Sequence, residues 1–239
     1  MCGVVSSAVM TTTQIILTIV LAAGGYLLGA VPFALLVARS LYGVDIREIG
    51  TGNVGAGNAR RELGFRAGAL VMACDMAKGF APALAAVLLL PSWPTALVAF
   101  MPVLGHQYSI FLRGSGGKGI ATTAGAVLPL SPIVFGITMV AWVVVVSVRR
   151  IRKAGPFVAG GTYLASSFLV PQPLAYRVLA VAICVSVLVA FRAELRERKR
   201  NPARPGDLAP GGGAPPAPPR AALARERSKK SRRRDLPRA

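Results

Sequence analysis

The apolar positions of the chain fall into seven runs separated by short polar connections. A helix needs about 20 apolar residues to cross a hydrocarbon core about 30 Å thick, because each residue adds about 1.5 Å. The shorter runs are marginal by this measure, and five or six spans remain alternatives in which short segments only dip into the membrane. The pattern predicts an all-α fold, a polytopic membrane bundle of about seven short transmembrane helices with Gly-rich cytoplasmic loops. The predicted spans are 14–38, 68–90, 95–112, 119–128, 133–148, 156–170 and 174–191.

Basic residues alternate with neutral connections along the same pattern. The connections 91–94, 129–132 and 171–173 carry no charge, and neither does the N-terminal stretch 1–13. Positive charge in membrane proteins collects on the cytoplasmic side. The alternation therefore predicts a multi-pass membrane protein with its N-terminus outside and its C-terminus in the cytoplasm. The basic residues of the intervening connections are Arg39, Arg47, Arg60, Arg61, Arg66, Arg113, Lys118, Arg149, Arg150, Arg152 and Lys153.

Composition divides the chain into a membrane domain and a tail. The net charge is +19 and the mean hydropathy is +0.56, a combination that excludes an ordinary soluble domain. Residues 192–239 hold 15 of the 28 basic residues, and 201–220 are rich in Pro and Gly. Such a segment cannot bury a core. We expect a membrane domain at 14–191 and a disordered, basic, Pro/Gly-rich cytoplasmic tail at 192–239, with its basic cluster on anionic lipid headgroups rather than on nucleic acid.

Residues 43–64, the first glycine-rich segment, contain a literal GxGxxG at Gly50, Gly52 and Gly55. A dinucleotide site would need a preceding strand, whereas an apolar helix precedes this segment. Glycines that present N–H groups, together with a fixed positive charge, suit a phosphate instead. A flexible cytoplasmic loop is the alternative. The polar candidates in the segment are Arg47, Thr51, Asn53 and Asn58.

Residues 104–123, the second glycine-rich segment, lead from one apolar run into the next. The segment fails the P-loop pattern, because Leu112 and Gly119 occupy positions where a P-loop needs Gly and Ser or Thr. A glycine-rich turn before a helix is nevertheless an anion site. Its candidates for the anion site are Gly116, Gly117 and Lys118. His106, the one histidine of the chain, is a further candidate, and a purely structural role for it is equally open.

An acid and a base lie three residues apart within the second predicted span. Asp75 and Lys78 share one helix face, where mutual neutralisation is the economical arrangement at membrane depth. A direct contact of Lys78 with substrate is the alternative. The cysteines, Cys2, Cys74 and Cys184, show no metal-ligand spacing, so we expect neither a metal nor another cofactor.

Four motifs in order and spacing resemble the bacterial acyl-phosphate:glycerol-3-phosphate acyltransferase family. They are AVPFALLVAR (30–39), DIREIGTGNVGAGNARRELG (45–64), DMAKG (75–79) and LGHQYSIFLRGSGGKGIAT (104–122). The resemblance implies a seven-helix enzyme of phospholipid biosynthesis in the cell membrane of a bacterium. Such an enzyme transfers an acyl chain from acyl phosphate to glycerol 3-phosphate and gives lysophosphatidic acid, without acyl-CoA or a metal.

The resemblance also implies roles for the candidate residues. Arg47, His106 and Lys118 become the catalytic candidates. Arg47 and Lys118 would stabilise phosphate charge as the acyl carbonyl is attacked. The implied substrate-binding residues are Asn53, Asn58, Gly116 and Gly117. Thr51, from the donors of the first segment, and Lys78, from the alternative to its ion pair, complete the expected substrate-binding set.

The chain departs from the family pattern at several positions. Ala30 replaces a usual Ser, and the segment GSGNIGATN reads GTGNVGAGN here. The stretch 148–165 lacks the Ser of a third motif, and Phe191 and Glu194 replace the His and Asn of a closing motif. A catalytically impaired relative that binds acyl phosphate or lipid, or that serves as a membrane partner protein, is therefore the second hypothesis. A transporter is a third, although no internal repeat supports it.

Overall fold

The structure is a computed structural model that describes residues 10–148 and 154–200. These residues form an all-helical fold without strands, and a short 3-10 helix at Ile110–Leu112 follows the fifth α-helix. The α-helices are α1 Thr12–Ala30, α2 Phe33–Tyr42, α3 Ala56–Leu63, α4 Phe65–Leu89, α5 Ser92–Gln107, α6 Ile120–Leu130, α7 Pro132–Ser147, α8 Gly155–Leu169 and α9 Leu174–Arg200.

Every apolar run of the sequence is largely helical, so the all-α prediction is confirmed. In the part of the chain that the structure describes, four helical stretches are long and apolar enough to cross a membrane: Thr12–Tyr42, Phe65–Leu89, Ser92–Leu112 and Leu174–Ala193. The helices α6 and α7 are apolar but shorter. The count of seven spans therefore stays a prediction.

Three features of the backbone differ from the sequence prediction. The first run is broken at Val31 and Pro32, because proline lacks the N–H that would continue the helical ladder. The first glycine-rich segment, expected as a loop, contains the short helix α3. The helix α9 continues to Arg200, so residues 192–200 of the predicted tail are helical. The rest of that tail, like the basic connection at 149–153, lies outside the described residues.

Glycines bring α4 and α6 into close contact. A Cβ at Gly79 would collide with the carbonyl oxygen of Thr122, and a Cβ at Gly125 would collide with that of Met76. Small residues let membrane helices approach until their backbones touch, which is a main source of attraction where no hydrophobic effect operates between helices. The backbones of α4 and α6 are therefore in direct contact at two positions.

The helices α1 and α5 meet in the same way. A Cβ at Gly29 would overlap the backbone of Pro102, and a Cβ at Gly105 would overlap the carbonyl oxygen of Tyr26. The hydroxyl of Tyr26 also donates a hydrogen bond to the carbonyl of Tyr108 at 2.7 Å. Consequently the C-terminal end of α5, which begins the second glycine-rich segment, is fixed against α1.

Candidate functional site

Asn58 holds the first glycine-rich segment in shape. Its amide donates to the carbonyls of Ile46 and Ile49 at 3.1 Å each, and its Oδ1 accepts from the backbone N–H and the hydroxyl of Thr51 at 3.0 and 3.1 Å. The side chain is buried at 2% exposure. A buried amide with these four bonds has its hydrogen-bonding capacity committed to the loop. The geometry thus gives Asn58 a supporting position, and its predicted contact with substrate stays a prediction.

Thr51 lies at the centre of this loop. The glycines on either side, Gly50 and Gly52, adopt the left-handed backbone with φ of +55° and +69°. The Thr51 hydroxyl also accepts a weak bond from the guanidinium of Arg61 at 3.4 Å, and the backbone N–H of Asn53 lies at the same distance from it. The loop around Thr51 and Asn53 therefore combines turned backbone with a nearby positive charge, as an anion site requires.

Arg47 is held by a carboxylate at the start of the segment. Its Nη2 lies 2.7 Å from Asp45 Oδ2 and its Nε 3.0 Å from Oδ1, while Arg39 reaches the same Oδ2 at 2.6 Å. The hydrogen bond from Arg47 holds the pKa of the Asp45 carboxyl well below its usual range. The same bond raises the pKa of Arg47, whose side chain is 48% exposed. A charged and oriented guanidinium therefore stands at the loop surface.

The second glycine-rich segment turns back onto the end of α5. The N–H of Gly116 donates to the carbonyl of Gln107, and the N–H of Gly117 donates to that of His106, both at 3.0 Å. A Cβ at Gly116 would collide with the His106 carbonyl. These two amides are thus used within the protein, which differs from the expected presentation of both to a phosphate. The turn instead leads into Gly119 and the N-terminus of α6. The backbone N–H groups in the first turn of a helix favour a bound anion.

The two glycine-rich segments meet at Gly117. A Cβ there would collide with Nε2 of His106 and would stand 3.0 Å from the carbonyl oxygen of Val54. Val54 belongs to the first segment, and Gly117 to the second. The structure therefore brings together Val54 and Gly117, which are 63 positions apart in sequence, with the His106 ring against Gly117 at the same place.

A buried ion pair lies behind His106. The Nζ of Lys78 is 3.0 Å from Oδ1 of Asp75, and both side chains are at most 3% exposed. The ammonium also donates to the carbonyl of Val31 at 3.0 Å, where α1 breaks. His106 Nδ1 lies 3.7 Å from the same Asp75 oxygen, beyond hydrogen-bond distance. The expected neutralisation of Asp75 by Lys78 is what the geometry provides, while a contact of Lys78 with substrate stays a prediction.

Lys118 is fixed through α5 and α9. The buried Gln107 donates from one amide nitrogen to the Lys118 carbonyl at 3.1 Å and to the Ser186 hydroxyl at 3.3 Å. The Lys118 ammonium lies 3.9 Å from the centre of the Phe191 ring. Sequence reasoning did not identify Gln107 or Ser186. The only available signal was that Gln107 follows His106 within the matching motif.

The fold and the site together define an integral membrane helical protein in which two glycine-rich segments meet at Val54 and Gly117. The family model described as glycerol-3-phosphate acyltransferase matches residues 19–200. The chain belongs to this glycerol-3-phosphate acyltransferase family.

Individual relatives agree with that assignment. The chain is 38% identical over 182 residues to the glycerol-3-phosphate acyltransferase of Myxococcus xanthus, which covers 75% of this chain and 95% of the relative. It is 41% identical over 191 residues to that of Rubrobacter xylanophilus, which covers 79% of this chain and 95% of the relative.

Solved structures show the same fold. The crystal structure of PlsY, an integral membrane glycerol 3-phosphate acyltransferase, matches in its glycerol 3-phosphate form with a TM-score of 0.71 and 32% identity. That match covers 81% of this chain and 96% of the other. The lysophosphatidic acid form matches with a TM-score of 0.68 and 30% identity, over 81% and 95% of the two chains.

Proposed function

We propose that this protein transfers an acyl chain from acyl phosphate to glycerol 3-phosphate and produces lysophosphatidic acid. The observation that carries the proposal is the meeting of the two glycine-rich segments at Gly117 and Val54. Each segment has the backbone turns and basic residues of a phosphate site. The proposed reaction brings together two substrates that each carry a phosphate, so two adjoining anion sites suit it.

The proposed chemistry is a displacement at an activated carbonyl. The C1 hydroxyl of glycerol 3-phosphate attacks the acyl carbon, a new ester C–O bond forms, and the bond from the acyl carbon to the phosphate oxygen breaks. The hydroxyl proton passes to the departing phosphate or to water. Because acyl phosphate is already activated, positioning of the two substrates can supply much of the rate. Stabilisation of the phosphate charge by fixed cations supplies a further part.

We assign the fixed cations to Arg47 and Lys118. Arg47 is oriented by Asp45 and remains half exposed, so its guanidinium can meet a phosphate at the loop surface. Lys118 immediately precedes Gly119 and the N-terminus of α6, where the helix dipole adds to its charge. Thr51 and Asn53 lie between turned glycines and are the proposed neutral contacts of the substrate.

In this proposal the remaining candidate residues support the residues that contact the substrates. His106 supports Gly117, Asn58 supports Thr51, and Lys78 closes the break after α1 through Val31. Gly116 and Gly117 contribute by their lack of a side chain, which lets the second segment approach α5 closely. They would therefore shape the site of the substrate rather than donate to it.

We further propose a multi-pass topology in the cell membrane, with the site on the cytoplasmic side and the N-terminus outside. The alternation of basic and neutral connections supports this orientation. Single cysteines introduced at Ser115 and at Pro171, in a chain without its native cysteines, test it. Both positions are exposed. A membrane-impermeant thiol reagent added to intact cells should label P171C and spare S115C, and the reverse labelling would overturn the orientation.

Acyl transfer by the purified full-length protein tests the proposed reaction. Labelled glycerol 3-phosphate is offered with palmitoyl phosphate and, separately, with palmitoyl-CoA, beside a Lys118→Ala variant. We expect product from palmitoyl phosphate alone and a loss of at least about a hundredfold in kcat/KM in K118A, as for removal of a preorganised charge. Product from palmitoyl-CoA would overturn the choice of donor.

A catalytically impaired relative that binds acyl phosphate or lipid is the second candidate. The observations that favour it are the absence of Ser from 148–165 and the hydrocarbon ring of Phe191 where the family pattern has a His. In that case the folded protein would be stabilised against heat by palmitoyl phosphate but would release no labelled lysophosphatidic acid. Thermal stabilisation by palmitoyl phosphate and release of labelled lysophosphatidic acid, measured together, therefore separate the two candidates.

A further inference from the structure

We infer that Phe191 is a positioning residue that holds the ammonium of Lys118 at the substrate site, an inference that rests on the proposed function. The Nζ of Lys118 lies 3.9 Å from the centre of the Phe191 ring. A cation over the face of an aromatic ring is attracted by the ring quadrupole when it lies within about 6 Å of the centroid. The distance here is well inside that range.

The ring is itself supported from a second helix. Phe157 of α8 packs against Phe191 of α9 with the ring centroids 5.2 Å apart and the planes inclined by 38°. A tilted pair at this separation is a favourable aromatic arrangement. The face that meets Lys118 is consequently fixed by α8 as well as by α9.

Two separate connections run from α9 to Lys118. The first reaches its backbone, because Gln107 bridges the Lys118 carbonyl and the Ser186 hydroxyl. The second reaches its side chain through the Phe191 ring. A long flexible lysine thereby has both ends constrained, which reduces the rotamer freedom lost when a phosphate binds.

An ammonium carries three N–H donors, so an aromatic contact on one side does not by itself preclude a hydrogen bond to a phosphate oxygen. Phe191 has no polar atom with which to bind substrate, so its contribution would pass entirely through Lys118. In this chain the closing-motif position would therefore act on the lysine and not on the phosphate.

Substitution of Phe191 in the full-length enzyme tests the inference. Phe191→Leu keeps an apolar side chain and removes the quadrupole, whereas Phe191→Trp keeps an aromatic face. With palmitoyl phosphate and glycerol 3-phosphate, we expect kcat/KM to fall about tenfold in F191L and to stay within about threefold of the unchanged protein in F191W. Phe168→Leu is the matched control, since Phe168 lies exposed on α8 at 53%, and it should change kcat/KM by less than about twofold.

A double-substitution cycle separates positioning from general support. If Phe191 acts through Lys118, F191L should cause no further loss in a K118A background. An equal tenfold loss in both backgrounds, or failure of F191W to retain activity, would overturn the inference. The proposed function would still stand in that case, because the unchanged protein would be active.

A spectroscopic readout covers the case in which no activity is found and the proposed function fails. In a W93F/W142F background, F191W carries the one tryptophan of the chain. A charge over the indole face shifts its emission, so Lys118→Ala should move the emission maximum of F191W. An unchanged spectrum would show that the lysine does not lie over this ring, and would overturn the inference whatever the activity.

Discussion

Gly117 lies directly against the imidazole of His106, with no room between them for a methyl group. The backbone N–H of the same glycine donates to the carbonyl of the same histidine at 3.0 Å. Gly117 also faces the carbonyl of Val54 in the other glycine-rich segment. The relative position of the two segments therefore depends on this one residue having no side chain.

Gly117→Ala should disturb the site without unfolding the protein. The new methyl group would collide with the His106 ring and press on the Val54 carbonyl, so the segments must separate. We expect kcat/KM for glycerol 3-phosphate to fall by at least about tenfold, since small displacements of positioning groups are costly to the rate.

Gly57→Ala is the matched control for this experiment. A Cβ at Gly57 meets nothing within 4 Å, and the residue lies in the first turn of α3. Alanine in a helix is favoured over glycine by about 0.5–1 kcal/mol, so G57A should be as active and at least as stable as the unchanged protein. Full activity in G117A would show that catalysis does not depend on the close contact between the two segments.

The helices were predictable because apolar runs bounded by prolines leave few alternatives. Pro91 and Pro171 lie in connections between helices, and Pro132 is the first residue of α7, all positions at which a missing N–H costs little. The helix α3 was not predictable in the same way. It has only eight residues and lies between Gly55 and Gly64. A helix of this length is marginal in isolation, so the burial of Asn58 and Ala59 against neighbouring elements supports it.

The candidate site was predictable as a set of residues but not as an arrangement. Glycine, asparagine and basic residues indicated two phosphate segments, and Asp75 and Lys78 were close enough in sequence to predict their ion pair. The contact of Val54 with Gly117 and the bridge from Gln107 to Ser186 depend on helix packing. No local pattern encodes such pairs, because each partner alone has an ordinary role.

Asn58 and Asn53 should behave differently when each is replaced by alanine. Asn58→Ala removes four hydrogen bonds inside the first segment and leaves buried backbone groups without partners. Such a loss costs about 1–3 kcal/mol, so both the thermal midpoint and kcat/KM should fall. Asn53→Ala should lower kcat/KM while leaving the midpoint within about 1 °C, since the Asn53 bond to Thr51 uses its backbone. Thermal unfolding in detergent beside the acyl-transfer assay separates these outcomes. Equal destabilisation by both changes would contradict the assigned roles.

The stability of the folded protein should fall less when both charges of the buried pair Asp75 and Lys78 are removed than when one is removed. Asp75→Asn leaves the Lys78 ammonium buried without a counter-charge, which costs about 3–5 kcal/mol. The double change Asp75→Leu, Lys78→Met replaces the pair with apolar groups and loses mainly the bond to the Val31 carbonyl.

We therefore expect D75N to unfold at a lower temperature than D75L/K78M, measured in detergent at neutral pH. The same proteins test the alternative role of Lys78. Acyl transfer by a folded D75L/K78M protein at a rate within about tenfold of the unchanged enzyme would rule out a direct contact of Lys78 with substrate. Complete loss of activity with retained stability would instead support that contact.

Asp45 should make the stability of the first segment depend on pH under acid conditions. Its pKa in the folded protein is lowered, chiefly by the hydrogen bond from Arg47, below the ordinary value of about 3.9. A carboxyl with a lowered folded pKa contributes stability that is complete above its unfolded pKa and is lost as the pH falls through the folded pKa. The contribution should be on the order of 1 kcal/mol, because both arginine partners are about half exposed.

Asp45→Asn isolates this contribution from other carboxyls that titrate in the same range. At pH 7 the variant should have a lower thermal midpoint than the unchanged protein, because Arg39 and Arg47 lose their shared anion. The difference in thermal midpoint between the two proteins should stay constant down to about pH 5 and narrow progressively below it. In that range only the unchanged protein gains a proton at residue 45 when it unfolds. Midpoints measured at pH 7, 5 and 3.5 test this course. A gap that stays constant to pH 3.5 would mean that the Asp45 charge does not stabilise the segment, and the orientation of Arg47 would then need another cause.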